Sequence, residues 1–303
     1  MKILITGANG LLGQKLVYAL KDRKGFEVIA TGRGPNRMKD QNGYIYNDLD
    51  ITDKSAVLKV VAFHHPDCII NTAAMTNVDA CEQDKESCRK LNVDAVAYLL
   101  EASEKNNVHL IHLSTDFVFD GSNGPYSEED TPSPQSYYAW SKLESEKLLE
   151  RSKIAWAVIR TIIIYGVADD EQRSNVVLWT KKSLEQGKKI NVITDQFRSP
   201  TLAEDLAEAC ISAAVKKAQG IYHVSGKELM SIIDIVYLVA DYFGLDKSYI
   251  NPVSSEELNQ PAKRPPRTGF VLDKAIRELD YKPHSLKEGL DIIAEQLRER
   301  EKV

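Results

Sequence analysis

No run in this chain approaches the ~18 consecutive apolar residues that a membrane-spanning helix requires. The opening "MKILITGANG" breaks its short apolar run with a glycine turn rather than continuing as a secretory leader, so a cytoplasmic protein is expected. Cysteine is scarce. Cys68, Cys81, Cys88 and Cys210 contain no C-x-x-C pair, which speaks against a zinc site or redox dithiol and fits four reduced thiols. Only two of the six histidines are adjacent, His64 and His65, and they precede Pro66 at an expected helix end. Positive charge is not in excess: 39 Lys and Arg against 44 Asp and Glu leave a net charge of −5. A nucleic-acid or anionic-membrane surface is therefore not expected, although local basic clusters remain available for a small anionic ligand. Repeats and low-complexity linkers are absent.

What is present is an ordinary globular balance, 43% hydrophobic and 27% charged over 303 residues, enough for one large domain with a smaller companion. Apolar runs at 2–6, 26–31, 43–48, 67–73, 109–115 and 155–161 alternate with helical patterns near 11–22, 53–64, 86–104 and 138–152. That alternation predicts an α/β fold, a Rossmann-type doubly wound parallel sheet with both faces covered. Beyond residue 165 the pattern loosens. Helices are expected near 175–187, 203–217, 231–243 and 286–299, strands at 189–195 and 220–225, and a Pro-rich loop at 259–268. The expected division is a dinucleotide-binding domain over 1–165, with 189–225 returning to it, and a smaller interleaved substrate lobe from 166–188 and 226–303.

"ITGANGLLGQKL" (5–16) places Gly7, Gly10 and Gly13 between the first strand and the first helix. There the glycines permit a tight turn, close approach of backbone to a pyrophosphate, and close helix–strand packing, while the helix N-terminus offers free N–H groups. The second strand leads into "ATGRGPNR" (30–37), with no carboxylate for a ribose 2′-OH. Arg33 stands where a 2′-phosphate would sit, with Arg37 nearby, so NADP(H) is preferred and NAD(H) is the alternative.

"YYAWSKLESEK" (137–147) sets Tyr138 four residues before Lys142, on one helix face. A nearby ammonium favours the phenolate of a tyrosine that ordinarily titrates near ~10. "HLSTDFVF" (112–119) supplies Ser114 and Thr115 at a strand's carboxyl end, where Thr115 can donate to a substrate oxygen.

Together these residues resemble the extended short-chain dehydrogenase/reductase family, and within it the dTDP-4-dehydrorhamnose reductase branch, which makes dTDP-L-rhamnose for bacterial cell-surface polysaccharides. The resemblance runs through "TGANGLLG" (6–13), "LDITD" (49–53), "INTAAMTNVDACE" (70–82), "LN" (91–92), "STDFVFDG" (114–121), "YAWSKLESE" (138–146), "RTIIIYG" (160–166) and "DQFRSPTLAEDLA" (195–207). It implies an NADPH-dependent reduction of a nucleotide-linked 4-keto sugar, with Thr115, Tyr138 and Lys142 as catalytic triad and Asn92 supporting a proton-relay water. The cofactor would meet Gly7, Asn9, Gly10, Leu11, Leu12, Gly13, Arg33, Asp50, Ile51, Ala73, Ala74, Met75 and Ser114 as well as Tyr138 and Lys142. The substrate would meet Thr115, Asp116 and Ile163, with Arg198, Arg264 and Arg267 as candidates for its diphosphate.

Three departures bear on these expectations. Ile163 replaces a tryptophan that often packs on the sugar. Lys15 stands where some members have a glutamate bridging a metal between subunits, and a lysine cannot ligate Mg²⁺, so no metal site is expected and a homodimer would lack that bridge. Phe117 replaces the glutamate that eliminates water in the related 4,6-dehydratases. Two alternatives stand beside the reductase: another nucleotide-sugar reductase or epimerase of the family, and a non-catalytic regulatory subunit similar to the methionine adenosyltransferase β subunit.

Overall fold

Seven parallel strands form the centre of the molecule, whose computed structural model describes residues 1–170, 175–258 and 260–300. Residue 259, the first of the expected Pro-rich loop, lies outside that range. The strands are β1 (Lys2–Thr6), β2 (Glu27–Gly32), β3 (Ile45–Asp48), β4 (Cys68–Asn71), β5 (His109–Thr115), β6 (Trp156–Thr161) and β7 (Gly220–His223). Their spatial order is β7-β6-β5-β4-β1-β2-β3. From β1 the chain moves outward to β3, then crosses back to β4 on the other side. The order thus reverses between β1 and β4, and ligand crevices of open α/β sheets form at the carboxyl ends flanking such a reversal.

Side chains alternate across each strand. Ile3 and Ile5 enter one apolar core, and Leu4 enters the other. Helices α1 (Leu11–Leu20) and α5 (Ala203–Val215) cover the first face. The second is covered by α2 (Lys54–His64) and α3 (Ala95–Asn106), with Val57, Val61 and Leu99 fully buried. Helix α4 (Tyr137–Glu150) lies against β5 and α3. Asp53 caps α2 through the amides of Ser55 and Ala56, and His65, at φ 47°, turns the chain out of it. Among the described residues no helix is long and apolar enough to cross a membrane.

The remaining chain builds a second lobe from helices Val176–Glu185, Ile232–Tyr242 and Leu286–Arg300, packed around Tyr165, Val239, Leu290 and Ile293. The strand Ile190–Ile193, expected to return to the central sheet, does not. It pairs in parallel with Ile250–Val253, because Ile190 and Val192 are buried against Val236 and Ala240 in this lobe's own core. The chain rejoins the sheet with α5 and β7. Lys15 of α1 holds Glu204 of α5 at 2.7 Å and Gln296 of the last helix at 3.0 Å, so its ammonium is engaged within this chain.

Candidate active site

The turn after β1 sets the floor of the crevice. Gly7 has φ +68°, and a Cβ there would lie 2.8 Å from the Ala73 amide nitrogen. A Cβ on Gly13 would fall 2.4 Å from the Gly7 carbonyl oxygen. Both positions therefore exclude side chains, which brings the N-terminus of α1 against the ends of β1 and β4. Two cavities of about 650 and 470 Å³ meet there and share Gly10, Thr72 and Ala74. The larger is bordered by Gly7, Asn9, Arg33, Arg37, Asp50, Ile51, Ala73 and Met75, with Lys90 added from the next helical turn. The smaller is bordered by Leu11, Leu12, Gly13, Ser114, Thr115, Tyr138, Lys142 and Ile163. A cradle that admits no Cβ, a helix N-terminus and a long double cavity fit a dinucleotide.

Asn9 organises the cationic end. Its carboxamide accepts from the Arg37 amide at 2.9 Å and donates to the Pro35 carbonyl at 3.0 Å, so the loop bearing Arg33 and Arg37 is tied to the glycine turn. Arg33 is exposed and lines the cavity beside Asp50.

At the other end, Tyr138 and Lys142 share one face of α4, started by Ser136, whose hydroxyl accepts from the Ala139 amide. Burial pushes the Tyr138 phenol above its usual range, and hydrogen bonding with Thr115 only partly offsets this. Burial also lowers Lys142 to about 8, with Glu146 opposing the drop. In the protein alone, desolvation dominates Tyr138, and Lys142 Nζ lies 3.1 Å from His112 Nε2. Thr115 accepts from the Phe117 amide at 3.3 Å and donates to Asp116 Oδ1 at 3.1 Å.

Several anticipated contacts fall elsewhere. Asp116 is buried behind Thr115, hydrogen-bonded by Thr268 and 3.6 Å from Arg198 Nε. Arg198 is 1% exposed, so it has no surface to offer a diphosphate. Its guanidinium donates to the Pro265 and Phe197 carbonyls at 2.6 and 2.7 Å and faces the Phe117 ring. Arg264 lines a separate cavity of about 430 Å³ and forms a two-pronged pair with Asp79 at 3.1 and 2.7 Å, joining the two lobes. Arg267 is exposed and stacks over Phe197. Asn92 sits in one wider π-type turn, Lys90–Asp94, that breaks the helix expected over 86–104. Its carboxamide is bound both ways to the Met75 backbone, at 2.8 and 3.0 Å, and to Ser141 at 3.0 Å, so it fixes the cavity wall. Ile163 has φ +29°, a strained value for a β-branched residue, and borders the smaller cavity.

Sequence reasoning passed over the layer beneath. Glu146 lies one turn beyond Lys142, accepts from Ser114 Oγ, and receives Arg160 through Nε and Nη2 at 3.0 and 2.7 Å. His223 Nε2 accepts from Arg160 at 3.3 Å while its Nδ1–H donates to the Tyr126 carbonyl at 3.0 Å. The available signal was the extended spacing Y-x-x-x-K-x-x-x-E and the strand alternation that puts His112 and Ser114 on one face.

Burial and then Arg160 hold His223 down to about 3. Because this folded-state value lies below that of an unfolded histidine, the stability it confers is complete above pH ~6.5 and is lost as pH falls from there toward 3. At pH 5 the loss is about 2 kcal/mol for this ring. Buried His112, also held well below the ordinary range by desolvation and then Lys142, acts in the same direction. Urea midpoints at about pH 7 and about pH 5 check this, and His223→Phe should lose less between them than the parent protein does.

The family model described as RmlD substrate binding domain matches residues 1–299. The zebrafish (Danio rerio) methionine adenosyltransferase 2 subunit beta is 34% identical over 269 residues, 87% of this chain and 80% of its own. The dTDP-4-dehydrorhamnose reductase of Aggregatibacter actinomycetemcomitans is 31% identical over 301 residues, 95% of this chain and 97% of its own. The solved dTDP-4-dehydrorhamnose reductase of Bacillus anthracis, in complex with NADP, superposes with a TM-score of 0.82 at 27% identity, covering 97% of this chain and 99% of that one.

Proposed function

Because this chain belongs to the RmlD substrate binding domain family, matched over residues 1–299, we propose that it is an NADPH-dependent reductase of a nucleotide-linked 4-keto sugar, dTDP-4-dehydrorhamnose first among them. It is an NAD(P)-dependent oxidoreductase of the kind represented by its reductase relative. The observation that carries the finer reading is the convergence of Thr115, Tyr138 and Lys142 on one cavity that continues past the glycine cradle toward Arg33.

The residues divide the work as follows. The backbone of Gly10–Gly13 and the N-terminus of α1 hold the pyrophosphate, and Arg33 and Arg37 hold a 2′-phosphate. Bound NADPH supplies the hydride. Tyr138 is protonated at neutral pH, since burial raises it, and so is charged with the right proton for the carbonyl oxygen. Thr115 orients that oxygen, and Lys142 reaches the ribose hydroxyls and supports the phenol as its proton leaves. Phe117, 6.0 Å from the Tyr138 ring, presents no acid or base to the sugar, which favours reduction over dehydration. The sheet with its glycine turn would serve the cofactor and the second lobe the sugar nucleotide. A screen of 4-keto sugar nucleotides for NADPH oxidation by the purified protein tests this reading, and turnover of none of them would overturn it.

Arg33→Ala should weaken NADPH by about 10- to 100-fold, the worth of one charged hydrogen bond, and leave NADH nearly unchanged. Titrating both cofactors against the variant checks the preference; equal weakening of the two would refute it.

A second reading has its own support in the similarity to the methionine adenosyltransferase subunit. On that reading the same crevice holds a dinucleotide without turnover, and the protein acts through a partner. The complete triad favours the enzyme.

A further inference from the structure

Three neighbouring strands meet behind Lys142 in a chain of buried side chains that the reduction does not use. Thr6 closes β1, Asn71 closes β4, and His112 lies within β5. All three are at most 1% exposed. Thr6 Oγ1 donates to Asn71 Oδ1 at 2.6 Å, in the orientation that turns the amide Nδ2 toward His112. The amide Nδ2 then meets His112 Nδ1 at 2.9 Å and donates to it. With Nδ1 accepting, a neutral imidazole carries its hydrogen on Nε2. Burial keeps the ring neutral, and the Lys142 charge opposes an imidazolium further.

The Nε2–H points at two atoms, Ser145 Oγ at 2.9 Å and Lys142 Nζ at 3.1 Å. The serine's own hydrogen goes to the Lys142 backbone carbonyl at 2.6 Å, which leaves its oxygen free to accept. The lysine nitrogen can accept only when it has lost its charge, since an ammonium has donors alone. The other titratable groups around Lys142 are Tyr138 and Glu146 on its own helix and Cys88 on the helix Lys85–Arg89. The Glu146 charge is matched by Arg160, 2.7 Å away.

We propose that His112, held in one tautomer by Thr6 and Asn71, is a positioning residue that presents an N–H instead of a lone pair to Lys142, so that the free protein holds the Lys142 ammonium weakly and the bound cofactor holds it firmly. The inference rests on the reductase reading for the identity of the ligand. Ribose hydroxyls accepting from Nζ and the negative charge of a dinucleotide both favour the ammonium, so binding and protonation are linked.

The test is the NADPH dissociation constant, followed by fluorescence between about pH 6 and 10 in the full-length protein. The parent should bind with constant affinity below an inflection near 8 and lose about tenfold per pH unit above it. Lys142→Met should remove the inflection. Thr6→Val keeps the side-chain shape but releases the amide, so the imidazole can offer Nε2 as an acceptor; the inflection should rise by at least about half a unit, an approximately threefold gain in relative affinity at pH 9. His112→Phe should move it the same way, and Thr6→Val decides the matter if that variant does not fold. An inflection that is absent in the parent, or that stays put or falls in Thr6→Val, overturns the proposal while leaving cofactor binding intact. A parent that does not bind NADPH at any pH overturns the reductase reading and this proposal together.

Discussion

Tyr138→Phe should reduce turnover by about 10²- to 10⁴-fold, the usual worth of a positioned general acid, and leave NADPH affinity within about threefold. Tyr137→Phe should do neither. The two tyrosines are neighbours in sequence but face different surroundings. Tyr138 is 9% exposed and borders the cavity with Thr115 and Lys142. Tyr137 stacks obliquely on Trp140 at 4.9 Å and lies under the Lys85 ammonium, away from that cavity. Steady-state kinetics with a cofactor titration on both variants separates the effects. Matching losses in kcat would mean that neither phenol is the acid.

Glu146→Ala should cost about 3–5 kcal/mol of stability, because it strands a buried guanidinium. The Arg160 side chain is 2% exposed, and after the loss of Glu146 it would face only the neutral His223 and the Phe119 ring. A drop in Tm on the order of 10 °C is expected for a chain of this size. The double variant Glu146→Met with Arg160→Met should recover most of the loss, since replacing both charges by apolar groups removes two desolvation penalties at once. Calorimetry on the single and double variants measures the difference. If the double variant is as unstable as the single one, the pair stabilises by its own attraction and the stranded-charge explanation fails. Ser114, whose hydroxyl Glu146 receives, borders the same cavity as Tyr138, so the single variant should also turn over more slowly at temperatures where it is folded.

The parts of this molecule that could be read in the sequence are those whose cause is local. A parallel strand covered on both faces is largely apolar, so β1 and β4 stand out as runs, and β5 does so through Leu110, Ile111 and Leu113. The glycine turn is visible because backbone closeness at Gly7 and Gly13 forbids side chains. The shared face of Tyr138 and Lys142 follows from helical periodicity alone. What could not be read depends on where distant segments pair. Arg198 looks like a loop arginine suited to phosphate. It is buried because Phe197–Arg198 is flanked by Met230–Ser231 and Arg267–Thr268, a pairing that spans 70 residues and has no local signature. Ile190–Ile193 reads as a sheet strand whichever sheet receives it, and only the later strand Ile250–Val253 decides. The partner of Lys142 was missed for a related reason. His112 sits in a neighbouring strand 30 residues earlier, and a histidine in an apolar run announces burial without naming what it touches.

The account turns on catalysis by this crevice, and one measurement addresses that directly: NADPH oxidation by the purified protein on addition of dTDP-4-dehydrorhamnose and other 4-keto sugar nucleotides, followed by the loss of near-ultraviolet absorbance. The account predicts stoichiometric oxidation with at least one of these sugars, abolished by Tyr138→Phe. No turnover of any of them by protein that binds NADPH, together with a one-to-one complex formed with a methionine adenosyltransferase catalytic subunit, would contradict it.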